Sequence, residues 1–303
     1  MKRNIIIFGG TGFIGYHLIK RLAKRNFNIL SISKSKPRKN RKIKNVKYLI
    51  IDITLKKNLN SIFKKKYDYV FNLAGYVDHS KKILTLNTHY LFVRKLIKTL
   101  RNKKIKKFIQ IGSSLEYADN KSPHKENLKL SRENFNSFYS LSKFLSTEFL
   151  TNQKLDDKIN YLVVRPYLIY GPNQDENRII PFVINKCIKN QKFDTSSGNQ
   201  IRNFLYIDDF IDGLIELTFN NKINNQIVNI GSYKNYKIKT IIKKIIKLCE
   251  KGKPNFGKIK LRKDENLISY PNLEKIKKLI KWSPNYQIDR GLIKTINFYK
   301  KNL

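Results

Sequence analysis

Tyr139 and Lys143 are the residues of this 303-residue chain whose types and spacing best suit proton transfer. They lie four positions apart in a stretch, 135–152, whose apolar pattern predicts a helix, so they share one helix face. A tyrosine hydroxyl has an ordinary pKa of about 10 and is a poor base at neutral pH. A neighbouring ammonium group stabilises the phenolate and lowers that pKa. Tyr139 can then give a proton to a reacting oxygen or remove one from it.

Ser113 is a third candidate for the same chemistry. It follows a stretch, 106–112, that predicts a strand, and ligands of α/β proteins bind at the carboxyl ends of parallel strands. Its hydroxyl is suited to hold the reacting oxygen. Tyr and Lys are both abundant in this chain, so the Tyr139–Lys143 pair taken alone is more typical of a helix surface.

A glycine-rich turn near residue 10 predicts a phosphate-binding site. The apolar run 5–8 is followed by Gly9, Gly12 and Gly15, and this pattern indicates a buried strand that turns tightly into a helix. Gly9 permits the turn, Gly12 lets a pyrophosphate approach the backbone, and Gly15 lets the helix pack against the strand. The helix N-terminus adds N–H groups and partial positive charge. A turn without a ligand is the alternative, and the position on the first predicted strand favours the binding site.

The elements that position these residues alternate between strand and helix through the first half of the chain. We predict strands at 4–8, 28–33, 46–51, 69–73, 106–112 and 159–165, and helices at 13–25, 57–66, 83–101 and 135–152. For the second half we predict helices near 176–190, 208–220, 238–250, 273–281 and 289–301, and strands near 201–206 and 226–230. This pattern indicates an α/β fold with a Rossmann-type, doubly wound parallel sheet. We expect residues 1–165 to bind a dinucleotide and residues 166–303 to form mainly a smaller substrate-binding lobe, with some segments returning to the first domain.

The composition bounds the possible partners. The net charge of +41 is typical of some nucleic-acid-binding proteins, but the lysines are spread over most segments without a nucleic-acid-binding motif, which favours a compositional bias. Cys187 and Cys249 are isolated and form neither a metal-binding pattern nor a disulfide framework. No apolar run approaches the ~20 residues of a membrane span, and no signal-peptide cleavage site is visible. We therefore expect a cytoplasmic protein that binds no metal, membrane or nucleic acid.

A series of motifs in a fixed order resembles the extended short-chain dehydrogenase/reductase family, the NAD-dependent epimerases and dehydratases of nucleotide sugars. These motifs are Gly9–Gly15, Asn72–Gly75, Ser113–Tyr117, Tyr139–Lys143, Arg165–Pro172, Gln200–Asp209, Asn229–Gly231 and Lys281–Pro284. The resemblance runs nearly end to end. It implies a Rossmann fold, a nicotinamide cofactor, a nucleotide-sugar substrate and a homodimer.

The resemblance also implies a role for each residue that matches a family motif. Ser113, Tyr139 and Lys143 correspond to the catalytic triad, and Lys143 also binds the nicotinamide ribose. The implied cofactor-binding residues are Gly9, Gly12, Phe13, Ile14, Gly15, Ser33, Lys34, Asp52, Ile53, Leu73, Ala74, Gly75, Asn87, Tyr139, Lys143 and Tyr167. The implied substrate-binding residues are Ser114, Arg178, Arg202 and Arg262. Of these, Arg202 and Arg262 are expected to bind the diphosphate, because a planar guanidinium group binds phosphate oxygens bidentately.

One departure from the family pattern concerns the cofactor. Where many members carry an Asp that binds the ribose hydroxyls of NAD, this chain has Ser33, followed by Lys34, Lys36 and Arg38. The missing carboxylate and the nearby cations favour NADP. The lysine-rich composition gives a second explanation for these cations, so NAD stays open.

Other departures concern the reaction. The family's dehydratases carry Asp-Glu directly after the triad Ser or Thr, and here Ser114 and Leu115 stand at these positions. Dehydration is therefore disfavoured unless Glu116 takes the role through a register shift. The C-terminal half resembles CDP-abequose synthase-like 4-ketoreductases. We expect an NAD(P)-dependent 4-ketoreductase or epimerase of a nucleotide-diphosphate sugar, acting in surface-polysaccharide (O-antigen) precursor synthesis. The alternative is a non-catalytic protein of the same fold that binds a nucleotide or a nucleic acid.

Overall fold

The computed structural model describes residues 2–55, 58–76, 81–135, 137–153, 159–261 and 265–302. The chain forms two compact units. The first unit contains Met1–Ala118, Glu126–Arg165 and Leu214–Val228, and the second contains Asp119–Lys125, Pro166–Gly213 and Asn229–Leu303.

The described residues form the following strands and helices. The strands are β1 (Asn4–Phe8), β2 (Asn28–Ser33), β3 (Lys47–Ile50), β4 (Tyr69–Asn72), β5 (Lys107–Ile111), β6 (Tyr161–Pro166), β7 (Leu168–Tyr170), β8 (Lys192–Asp194), β9 (Ile201–Tyr206), β10 (Gln226–Ile230), β11 (Asn235–Lys237), β12 (Lys253–Asn255) and β13 (Ile268–Ser269). The helices are α1 (Phe13–Ala23), α2 (Lys82–Leu86), α3 (Phe92–Leu100), α4 (Phe138–Thr151), α5 (Ile179–Ile188), α6 (Ile207–Phe219), α7 (Ile238–Cys249), α8 (Glu274–Leu279) and α9 (Ile288–Asn302). A π-helical turn, Asn87–Leu91, joins α2 to α3.

A seven-stranded sheet of order β10-β6-β5-β4-β1-β2-β3 organises the first unit. The pairings of β1 with β2 and β4, of β2 with β3, of β4 with β5 and of β5 with β6 are all parallel. Ile5, Ile6, Ile7 and Phe8 are fully buried, as expected when both faces of a parallel sheet are covered. The fold confirms the predicted Rossmann-type sheet.

The strand order reverses between β1 and β4, and this point positions the site. Phe8 at the end of β1 is level with Ile32 of β2 and Asn72 of β4. The residues that follow these strands therefore meet at one edge of the sheet, at the switch point where ligands bind in this class of fold.

The second unit contains a small sheet in which β9 pairs with β11, β13 and β7, and a separate pair, β8 with β12. Two of the matched motifs are in contact here. The Asp209 carboxylate accepts hydrogen bonds from the backbone N–H groups of Asn285 and Tyr286, at 3.0 and 2.9 Å. The Trp282 indole donates to the backbone oxygen of Asp209 at 3.1 Å. Through these three hydrogen bonds Asp209 connects the Gln200–Asp209 motif to the segment around Lys281–Pro284.

One predicted helix is wrong. Within 58–66 the chain forms only a short 3₁₀ turn, Asn60–Ile62. Leu59, Ile62 and Phe63 have helical spacing, but they are buried in the core beneath β1 and α3 as parts of a loop. The prediction lacks five short strands, because a run of two or three residues is too short to show the alternation of apolar and polar residues that is typical of a strand. These strands are β7, β8, β11, β12 and β13.

The two cysteines, the possible metal ligands and the apolar helices bear on the partners that the composition suggested. Cys187 and Cys249 are buried free thiols. In the part of the chain that the structure describes, no His, Cys, Asp and Glu side chains cluster in a way that could hold a metal ion. No helix within the described ranges is long and apolar enough to cross a membrane.

Candidate active site

The Tyr139–Lys143 pair lies on α4, beside the carboxyl end of β5. Ser137 begins this helix, and its hydroxyl oxygen accepts the backbone N–H of Ser140 at 3.2 Å. The Lys143 ammonium nitrogen lies 5.9 Å from the centre of the Tyr139 ring and donates to the backbone oxygen of Ile111 at 2.7 Å. Tyr139 is half-buried and Lys143 is buried. The two side chains therefore share a helix face that is directed at the end of β5.

The environment of Lys143 changes its proton affinity. Burial lowers the pKa of Lys143 to about 8, and the negative charge of Glu116 acts in the opposite direction. An ammonium group with this pKa is still mainly protonated at neutral pH. It can therefore stabilise a neighbouring phenolate.

Ser113 lies directly beyond β5 and begins the 3₁₀ turn Ser114–Tyr117. Its hydroxyl oxygen accepts the backbone N–H of Leu115 at 3.1 Å. A hydroxyl group can accept two hydrogen bonds and donate one, so Ser113 still has a proton to donate to a reacting oxygen. Ser114 is half-buried and Leu115 is exposed. The structure thus brings Ser113, Tyr139 and Lys143 to the same end of one strand.

Glu116 is fully buried under this turn. Its Oε1 accepts the backbone N–H of Ser113 at 2.8 Å, and its Oε2 accepts the Thr147 hydroxyl at 2.7 Å. Arg165 donates from Nε to the same Oε2 at 2.9 Å, and its Nη2 forms an ion pair with that oxygen, also at 2.9 Å. A carboxylate that is buried and bonded in this way has no oxygen directed at a substrate. The geometry therefore argues against Glu116 as the acid of a dehydratase.

His89 is a residue to which the sequence assigned no role. It lies on the π-helical turn that Asn87 begins, and its ring meets the Tyr139 ring edge-on at 5.0 Å. A side chain at Gly75 would place its Cβ 2.4 Å from the His89 ring, so Gly75 leaves the room that this ring needs. The π-helical turn therefore brings an imidazole against Tyr139, and such turns are frequent at functional sites.

The glycine-rich turn has the geometry that a pyrophosphate needs. Gly9 has φ +80°, and a Cβ there would lie 2.7 Å from the backbone of Leu73 and Ala74. Gly12 precedes α1 and has no side chain that could cap the helix. No cap from this residue therefore occupies the backbone N–H groups of Phe13 and Ile14 in the first turn. The turn and the helix N-terminus together fit a dinucleotide phosphate group.

Ser33 is the last residue of β2, and Lys34 follows it at the same edge. The Ser33 hydroxyl accepts the backbone N–H of Thr11 at 3.2 Å. The Lys34 ammonium forms an ion pair of 2.9 Å with Asp52, whose pKa is lowered by hydrogen bonds from Thr54 and by Lys34. The charge of Lys34 is thus already partly neutralised within the chain.

Two further residues lie around this end of β2. Ile53 is buried beside Asp52. Arg41, to which the sequence assigned no role, is buried and donates from Nη1 to the backbone oxygen of Thr11 at 3.3 Å. A guanidinium group therefore lies directly behind the glycine-rich turn.

The sequence profile of the NAD dependent epimerase/dehydratase family matches residues 5–231. The chain belongs to the NAD-dependent epimerase/dehydratase family. Its curated relatives include dTDP-D-glucose 4,6-dehydratase of Dictyostelium discoideum, which is 31% identical over 81% of this chain. The chain spans 62% of the length of that relative. CDP-abequose synthase of Salmonella muenchen is 25% identical over 98% of both chains.

Solved structures of this family have the same fold. UDP-glucuronic acid 4-epimerase from Bacillus cereus, in complex with UDP-glucuronic acid and NAD, superposes with a TM-score of 0.90. The two sequences are 23% identical, and the superposition covers 99% of this chain and 100% of the epimerase chain. At this identity the likeness establishes the fold, and the reaction has to be argued from the site.

The remaining site residues of this epimerase/dehydratase family member lie in the second unit. The Tyr167 hydroxyl is 2.8 Å from Nδ1 of His124, and both residues are buried. Arg178 precedes α5 and is exposed. Arg202 forms an ion pair of 2.5 Å with Glu265 and also donates to nearby backbone oxygens. Arg262 lies outside the described residues. Their predicted roles toward cofactor and substrate stay predictions.

The structural role of Glu116 and the positions of Arg165, His89 and Arg41 differ in whether the sequence held a signal for them. Glu116 stands three positions after Ser113, and Ser-x-x-Glu is the pattern of a capping box, which the turn indeed forms. Arg165 was visible as part of a matched motif but without a partner. His89 and Arg41 had no signal, because their positions depend on a π-helical turn and on a loop.

Proposed function

We propose that this protein is an NAD(P)-dependent enzyme that acts on a nucleotide-diphosphate sugar, as a 4-ketoreductase or an epimerase, in the synthesis of surface-polysaccharide precursors. The observation that carries the proposal is the grouping of Tyr139, Lys143 and Ser113 at the end of β5, on the sheet edge that also bears the glycine-rich turn. The names of the relatives support a nucleotide sugar as the substrate class. A homodimer and a cytoplasmic location are part of the same proposal.

In this proposal each residue has one task. The bound nicotinamide supplies or accepts the hydride. Tyr139 moves a proton between its phenol and the sugar oxygen, and the ammonium of Lys143 favours the phenolate form. Ser113 donates a hydrogen bond to the same oxygen and so orients the reacting carbon. Arg202 is proposed to bind the diphosphate, for which it must give up part of its contact with Glu265.

Dehydration is disfavoured by the residues after Ser113. Leu115 has no proton to give, and both oxygens of Glu116 are engaged within the chain. We therefore propose ketoreduction or epimerisation, although at least two relatives bear the name of a dehydratase.

The test is turnover of a panel of nucleotide-diphosphate hexoses and their 4-keto-6-deoxy derivatives with NAD(H) and NADP(H), followed through nicotinamide absorbance. Net oxidation of the reduced cofactor identifies a reductase. Turnover without net change of the cofactor identifies an epimerase, which returns its hydride. Activity confined to substrates without a nucleotide, or salt-sensitive binding of nucleic acid without any turnover, would refute the proposal.

The finer proposal on the cofactor is NADP. No carboxylate stands at Ser33 to bind both ribose hydroxyls or to repel a 2′-phosphate. Against this, the family is described as NAD dependent, and Lys34 is already paired with Asp52. Tighter binding of NAD than of NADP by the unaltered protein, measured by fluorescence titration, would contradict this proposal.

Ser33→Asp is expected to shift the ratio of the two affinities toward NAD by about tenfold or more, mainly through loss of NADP binding. The new carboxylate repels the 2′-phosphate, and a charge-assisted contact is worth about 1.5–3 kcal/mol. It can still accept the Thr11 N–H that the Ser33 hydroxyl accepts now. Titration of both cofactors by fluorescence measures the ratio. Ser33→Ala, which adds no charge, is the matched control and should leave the ratio nearly unchanged; an equal effect of both variants would contradict the explanation.

A further inference from the structure

The carboxylate of Glu116 is not used in the chemistry proposed above, although it lies next to that chemistry. It is fully buried and accepts hydrogen bonds from Ser113, Thr147 and Arg165. A buried charge is costly unless it is paired and hydrogen-bonded, and this one is both. Its surroundings therefore hold an ionised carboxylate in one position behind the turn.

That position supports the backbone of Ser113. Oε1 of Glu116 accepts the Ser113 N–H at 2.8 Å, while the Ser113 hydroxyl oxygen accepts the Leu115 N–H at 3.1 Å. A Cβ at Gly112 would lie 2.3 Å from the same Oε1, so the carboxylate rests directly against the chain between β5 and Ser113. The orientation of Ser113 thus depends on Glu116.

The same carboxylate acts on Lys143. The ammonium of Lys143 is bonded to the backbone oxygen of Ile111, two positions before Ser113. Within the described part of the chain, Tyr139 lies beside it on the same helix, His89 packs against the Tyr139 ring, and Arg165 pairs with Glu116. The charge of Glu116 opposes the fall that burial causes in the pKa of Lys143.

We propose that Glu116 is a positioning residue of the active site, which fixes the backbone of Ser113 and places its negative charge behind the strand end that holds the ammonium of Lys143. This inference rests on the proposed function, because it takes Ser113 and Lys143 to be catalytic. Arg165 and Thr147 hold the carboxylate in place. Loss of the carboxylate therefore leaves Arg165 without its ion-pair partner and removes the negative charge that acts on Lys143.

The first test needs no substrate. The ¹³Cε resonance of Lys143 is titrated with pH in the unaltered protein and in Glu116→Gln, and the resonance is assigned by its absence in Lys143→Arg. The midpoint is expected to fall by about one pH unit or more, the usual effect of losing an opposite charge at close range. An unchanged midpoint would overturn the proposal.

Lys107 is an internal control for this titration. Burial lowers its pKa to about 8 as well, but its ammonium is bonded to the backbone oxygens of Thr218 and Asn220. Burial alone accounts for the direction of that shift. Its midpoint is therefore expected to stay constant in Glu116→Gln. A parallel shift of Lys107 would mean a general loosening of the fold and would count against a specific role of Glu116.

A second variant keeps the test decisive if Glu116→Gln fails to fold. Glu116→Gln combined with Arg165→Met removes both members of the buried ion pair, so no guanidinium is left unpaired in the interior. The midpoint of Lys143 is expected to stay low in this double variant. A return to the unaltered midpoint would assign the shift to an unpaired Arg165 and overturn the proposal.

The activity measurement separates this proposal from the proposed function. In Glu116→Gln the alkaline limb of kcat/KM is expected to move to lower pH by the same amount as the Lys143 midpoint. Thr147→Val removes a hydrogen bond to the same carboxylate but keeps its charge, so it should move the limb clearly less than Glu116→Gln does. If the unaltered protein turns over no nucleotide sugar, the proposed function fails, and the Lys143 titration still decides the role of Glu116.

Discussion

Tyr139→Phe is expected to lower turnover by ~100-fold or more, because it removes the only atom of this side chain that can carry the transferred proton. The ring stays, so its packing against His89 and its contact with Lys143 are expected to persist. Cofactor affinity should therefore be nearly unchanged. The measurement is steady-state turnover on the substrate identified by the panel, together with a fluorescence titration of the cofactor.

The comparison with Lys143 sharpens this prediction. Lys143→Ala should weaken cofactor binding as well as turnover, because the ammonium is proposed to bind the nicotinamide ribose in addition to acting on Tyr139. Tyr67→Phe is the matched control, because Tyr67 is a partly buried tyrosine that packs against Phe63 in the first unit. Its turnover and cofactor affinity should be close to those of the unaltered protein. Unaltered turnover in Tyr139→Phe would show that the Tyr139–Lys143 pair is merely structural.

The centre of the sheet was predictable because strands such as β1 and β4 are buried on both faces and consist mostly of apolar residues. Ile5–Phe8 is a continuous apolar run, and the glycines after it indicate both the turn and the following helix. The failed helix at 57–66 shows the limit of this reasoning. Leu59, Ile62 and Phe63 have the spacing of a helix face, but tertiary packing buries them from a loop with a single short turn.

The catalytic pair was predictable for a different reason. Helical periodicity alone puts Tyr139 and Lys143 on one face, without any knowledge of the rest of the chain. Partners that are distant in sequence were not predictable in this way. Arg202 was singled out as a phosphate ligand, but its ion pair with Glu265, 63 residues away, appears only once the chain is folded. Burial of Glu116 against Arg165 is likewise a property of the fold.

Gly15→Ala is expected to weaken cofactor binding strongly and to destabilise the protein by about 1–3 kcal/mol, the usual cost of forcing extra volume into a packed site. A Cβ at this position would lie 2.3 Å from the backbone oxygen of Gly9 and 2.6 Å from Cα of Gly10. Both contacts are with backbone, so the turn itself has to move away from α1. Thermal unfolding and a fluorescence titration of the cofactor measure the two effects.

Gly12→Ala separates the two effects, because the same substitution meets a different environment three residues earlier. A Cβ there would lie 3.3 Å from the backbone oxygen of Gly9, and the backbone of Gly12, with φ −72° and ψ 177°, is one that alanine adopts without strain. We therefore expect near-unaltered thermal stability but reduced cofactor affinity, since the methyl group occupies the space in which the pyrophosphate approaches the backbone. If Gly12→Ala and Gly15→Ala both bind NAD and NADP as tightly as the unaltered protein, the glycine-rich turn is a packing feature and the cofactor site must be sought elsewhere. If only Gly15→Ala loses affinity, the phosphate does not approach the backbone at Gly12, and the turn acts by positioning α1 alone.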